Sequence, residues 1–97
     1  MRNSYIFVFE PAFGSLDDVR TYIDTIPEIL NWRTELPNSF FLVSELSAKE
    51  LFNKIKPFSH TGKFLISETT SNKQGWLGKT SWNLMNKKRT PDEEDDL

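Results

Sequence analysis

The run Tyr5-Ile6-Phe7-Val8-Phe9 limits the possible folds more than any other part of the chain. As a strand it puts three aromatic rings on one face and two β-branched residues on the other, so both faces are apolar and both need cover. In a 97-residue chain that points to a small sheet with helices on one side and a second partner, protein or nucleic acid, on the other. Period-two alternation does not say which face takes which cover. Giving the slimmer Ile6 and Val8 to the helices leaves Tyr5, Phe7 and Phe9 on the open face.

The next residues, Glu10-Pro11-Ala12-Phe13-Gly14, read as a turn, because proline withdraws a donor and glycine tolerates left-handed geometry. A helix starts at Ser15, a capping residue, with Asp18 three positions on and Asp17 near the positive end of the helix dipole. Leu16, Val19, Tyr22, Ile23 and Ile26 share its apolar face, and Pro27 ends it. Ile29 to Thr34 and Ser39 to Val43 then flank Pro37-Asn38 as an antiparallel hairpin. Ser47-Ala48-Lys49-Glu50 is a capping box, preceded by Leu46 as a staple toward Leu51. Leu51, Phe52 and Ile55 form the stripe of this second helix before Pro57. Lys63 to Ser67 is the fourth strand, residues 71–75 are loop, and residues 76–88 read as a strand, a helix, or both in turn.

Strand, helix, strand, strand, helix, strand is the α+β, ferredoxin-like βαββαβ order, with a four-stranded antiparallel sheet, two helices on one face and a C-terminal strand or helix extension. One domain over residues 1–90 is the expectation. The last seven residues carry five acids and no base, so the net charge of −2 hides twelve bases against nine acids in residues 1–90. Such a tail has little to bury and reads as disordered over 91–97. A sharper reading folds it back on Lys87-Lys88-Arg89, in competition with a polyanion.

The absence of cysteine excludes disulfides, thiolate metal sites and cysteine nucleophiles, and sets an intracellular location as the default. Met1-Arg2-Asn3-Ser4 runs directly into the first strand without a signal-peptide pattern, and no apolar run nears the roughly 20 residues that span a bilayer. A cytoplasmic protein with no membrane partner is expected.

Residues 39–51 (Ser-Phe-Phe-Leu-Val-Ser-Glu-Leu-Ser-Ala-Lys-Glu-Leu), the strand from Lys63 to Glu68 and the turn Gly75-Trp76-Leu77-Gly78 resemble small bacterial proteins labelled SinR-like. Those are similar to the small CRISPR-associated ferredoxin-like endoribonuclease and to VapD-type toxins. The likeness follows element order over roughly residues 4–88 and residue identity only in 39–51 and 75–78. It implies a homodimer in which two sheet faces pack together, sometimes with the C-terminal segment crossing to the partner. It also implies an acidic residue at the end of the first strand, where two copies hold a divalent metal near a phosphate. Glu10 stands there in place of the family's Asp, followed by Pro11. Its longer arm and the rigid proline redirect the carboxylate, and octahedral Mg²⁺ tolerates little displacement.

The candidate residues follow from these readings. Glu10 is the catalytic and metal candidate, with Mg²⁺ the one cofactor in question; Asp17, Asp18 and Glu45 are its nearest conceivable helpers. Tyr5, Phe7, Phe9, Trp76 and Trp82 are the expected dimer interface. The same rings, joined by Trp32 and Phe40 or Phe41, offer stacking platforms for single-stranded bases, although the glycine and basic residue of an RNA-recognition strand are missing from Ser39 to Val43. Arg33, Lys79, Lys87, Lys88 and Arg89 are the candidate nucleic-acid contacts, scattered enough to support only weak binding. His60 lies in a loop without orienting partners. Gly75 to Thr80 lacks the spacing of a phosphate-binding loop. Two functions from different classes emerge: a dimeric, non-catalytic interaction module that engages a protein partner, and a metal-dependent nuclease built on Glu10.

Overall fold

A computed structural model describes residues 1–94 of the chain. Its strands are β1 (Asn3–Phe9), β2 (Ile29–Arg33), β3 (Ser39–Ser44) and β4 (Phe64–Thr69); its helices are α1 (Leu16–Ile23), α2 (Ala48–Ile55), α3 (Lys79–Lys87) and a single turn, α4 (Pro91–Glu94). The four strands form one sheet in the order β2-β3-β1-β4, every neighbouring pair antiparallel. The fold is therefore α+β. Among the described residues, no helix is long and apolar enough to cross a membrane.

The starts of α1 and α2 follow from local chemistry. The Ser15 hydroxyl accepts the Asp18 N–H at 3.1 Å. At α2 the capping box is complete: Glu50 N–H donates to Ser47 Oγ at 3.1 Å and Ser47 N–H to Glu50 Oε1 at 2.9 Å. The Ser47 N–H first and the Ser47 hydroxyl second hold the Glu50 carboxyl below the usual carboxylate range. The Tyr22 hydroxyl then ties α1 to α2 by donating to the Lys54 carbonyl at 2.8 Å.

The face of β1 is the reverse of the expected one. Tyr5, Phe7 and Phe9 are buried in one cluster with Val19 and Ile23 of α1, Leu51 and Ile55 of α2, and Phe40 and Leu42 of β3. The two helices are eight residues each and supply mostly slim aliphatic side chains, so broad rings are what fills the layer between them and the sheet. Tyr5 keeps its polar end satisfied there, its hydroxyl donating to the Leu46 carbonyl at 2.5 Å, and burial pushes its phenol up. A ring set enclosed by its own helices is not a surface for a twin subunit or for bases. Tyr5, Phe7 and Phe9 are thus core residues.

Ile6 and Val8 lie on the second face. There α3 lays Leu84 and Met85 against Phe41 and Val43, with Ile6, Leu30, Leu77 and Trp82 packed around them. The segment left open between strand and helix is helical over Lys79–Lys87 and ends on Lys88 in left-handed geometry (φ 52°). Within the segment read as a disordered tail, Pro91–Glu94 form a single helical turn; residues 95–97 lie outside the described residues.

The two sheet edges differ. β2 carries a bulge between Ile29 and Asn31, and the Asn31 side chain there donates to the Arg89 carbonyl at 2.8 Å while accepting the Trp32 N–H at 2.9 Å. β4 pairs with β1 without a register shift from Ser4↔Thr69 to Phe9↔Phe64.

Candidate functional site

Glu10 is placed by the turn that leaves β1, and Lys63 takes up both its backbone and its side chain. Glu10 N–H donates to the Lys63 carbonyl at 3.0 Å, and Lys63 N–H donates to Glu10 Oε1 at 2.9 Å. The carboxylate thus completes the β1–β4 ladder one step past the last strand pair. Asp17 forms an ion pair with Arg20 at 3.1 Å on α1. Glu45 follows Ser44, which pairs with Asn3, so it sits a whole strand length from Glu10. Among the described residues, no group of three or more His, Asp or Glu is placed to hold a metal ion.

His60 is exposed in its loop, and the neighbouring Ser59 hydroxyl donates to the Thr61 carbonyl at 2.7 Å, closing a local turn. The basic candidates do not form one stripe. Lys79 opens α3 and Lys87 closes it, about 12 Å apart at the helical rise. Arg33 Nε donates to Ser81 Oγ at 3.1 Å. Arg89 Nη1 is buried with no hydrogen-bond partner among the described residues.

What the structure does assemble is an apolar groove on the second face. Ile6 and Phe41 form its floor, Trp82 and Met85 of α3 one wall, and Leu36 and Leu77 its rim, enclosing about 280 Å³. Trp76 stands beside it with 97% of its surface exposed. Trp76 and Trp82, expected at an interface, meet here, whereas the β1 rings lie beneath α1 and α2 on the opposite face.

The wall formed by α3 is held in place by a carboxylate from the β2–β3 hairpin. Gly78 offers no capping side chain at the helix start, and Glu35 supplies the cap from 43 residues away, accepting the Gly78 N–H at 2.8 Å and the Ser81 hydroxyl at 2.5 Å. The Ser81 hydroxyl first and the Gly78 N–H second hold the Glu35 carboxyl below the usual range. Sequence reasoning missed Glu35, Leu36 and Met85. The usable signal was Ser81, Leu84 and Met85 at helical spacing, which marks one side of a helix for burial.

The C-terminal turn meets the body at Arg2. Its guanidinium donates to the Lys88 carbonyl at 3.1 Å and to Glu93 Oε1 at 2.5 Å, and Thr90 N–H donates to the same carboxylate at 2.8 Å. The acid engages Arg2, not the side chains of Lys87-Lys88-Arg89. Arg2 first and Thr90 second pull the Glu93 pKa from 4.5 to about 2. Because the folded value is the lower one, docking of the turn is fully present above pH 4.5 and is lost as pH falls through about 2. The pair is solvent-exposed, so salt weakens it. In an NMR titration the Thr90 amide resonance should move as pH falls through about 2, and in E93Q it should stay still throughout.

Compared with protein-family models, with curated proteins and with solved structures, the chain matches none.

Proposed function

We propose that this chain is a self-associating, non-catalytic interaction module that receives an apolar segment of a partner protein in the groove beside α3. In this reading the sheet and its first two helices are a ferredoxin-like split βαβ unit, akin to the SinR-like and CRISPR-associated proteins but without their metal chemistry. The strand order and the common cluster formed by α1, α2 and the β1 rings support the architecture. The groove carries the function: an apolar cleft next to a nearly bare tryptophan is the composition of an interface core, where aromatic anchors and desolvated pockets dominate binding.

A random peptide library displayed on phage and panned on the protein should enrich sequences with an aromatic or aliphatic anchor. L36E, at the exposed rim, should weaken their binding at least about tenfold, the usual loss when a charge enters an apolar contact. Single-stranded RNA and duplex DNA incubated with Mg²⁺ or Mn²⁺ should stay intact. Cleavage that E10A abolishes in a folded protein would overturn the reading.

A further inference from the structure

We propose that two copies of this chain join through their β4 edges, antiparallel, with Ile66 on the two-fold axis, to make one continuous eight-stranded sheet. The proposal rests on the reading of the chain as self-associating and says where the contact lies. Antiparallel pairing alternates between residues that exchange backbone bonds and residues that do not. Glu10 N–H reaches the Lys63 carbonyl, so in the same register Lys63, Leu65, Ser67 and Thr69 point their backbone groups at β1. Phe64, Ile66 and Glu68 therefore point theirs outward.

Three consecutive outward residues select one register. A two-fold axis normal to the sheet at Ile66 pairs Ile66 with its copy and Phe64 with the partner's Glu68, so all three bond and the ladder gains about six hydrogen bonds. Axes at Leu65 or Ser67 use only two of the three residues.

Side chains flank this edge as an interface requires. Leu65 is 64% exposed on the second face, next to the exposed Val8 with which it pairs. On the other face, Phe52 of α2 is exposed and stacks on Phe64 at 5.3 Å. Two of the devices by which proteins blunt an edge, a proline and a bulge, are missing from β4, whose one charged residue is Glu68, while β2 has its bulge. A chain of this size also gains proportionately from added burial.

The absence of cysteine makes the register directly testable. In this pairing Leu65 faces the partner's Ser67 across a non-bonded position, with Cα atoms about 4.5 Å apart, within disulfide range. Two copies of Leu65 are only diagonal neighbours, at about 7–8 Å. Oxidising an equimolar mixture of L65C and S67C should give a covalent heterodimer on a non-reducing gel, and each variant oxidised alone should give far less. E68P, which removes an outward donor at an exposed position tolerated on edges, should weaken dimerisation at least about tenfold in sedimentation equilibrium with an unchanged circular dichroism spectrum. A wild type that is monomeric by light scattering at millimolar concentration overturns both this pairing and self-association. A wild-type dimer without cross-linking in the mixture overturns the β4 pairing alone.

Discussion

F7A lowers the unfolding free energy by about 3–5 kcal/mol, the cost of emptying a ring site in a packed core, and F7E leaves no cooperatively folded protein. Phe7 is fully buried and sits at the centre of the aromatic cluster, its centroid 5.3 Å from Phe9, 5.9 Å from Phe13, 5.7 Å from Phe64 and 6.1 Å from Phe40. Neighbours that are themselves large rings cannot close the void by small rotations, which favours the upper part of that range. Urea denaturation followed by far-ultraviolet circular dichroism measures the loss. A folded F7E monomer of wild-type stability, released from a wild-type dimer, would instead return the rings to an interface.

L84A costs about 2–5 kcal/mol, the usual range for leucine truncation in a core. Its signature differs from that of F7A. Leu84 is buried on the second face between α3 and the sheet, and α3 is nine residues long, too short to persist alone. Losing its anchor frees the helix from Phe41 and Val43 while the ring cluster beneath α1 and α2 stays closed. The expected result is an early transition in near-ultraviolet circular dichroism, reporting Trp82, ahead of the far-ultraviolet one. Binding of an apolar dye below the main transition should rise with it. Coincident transitions at both wavelengths would show that the two faces unfold as one unit.

Where the sequence was informative, the information was local. Ser47 and Glu50 sit three apart and bond to each other, so the start of α2 could be read without knowing anything else of the fold. The turn after Phe9 and the hairpin around Pro37-Asn38 were legible for the same reason. The face of the rings was not, because alternation divides a strand into two sides without ordering them, and here both sides are apolar. Helix α3 was illegible at its start because its cap, Glu35, comes from the hairpin. Glu10 misled for the same reason: its partner Lys63 lies 53 residues on, and alone a carboxylate after a strand looks available for chemistry.

The position of β1 carries one more consequence. It is the earliest strand in the chain, yet it lies between β3 and β4, so its second neighbour arrives only with Phe64–Thr69. During synthesis the apolar opening stretch must wait for more than half the chain to emerge, and its stickiest surface stays unprotected meanwhile. Production of the intact protein should therefore depend on chaperone supply more steeply than its finished stability suggests.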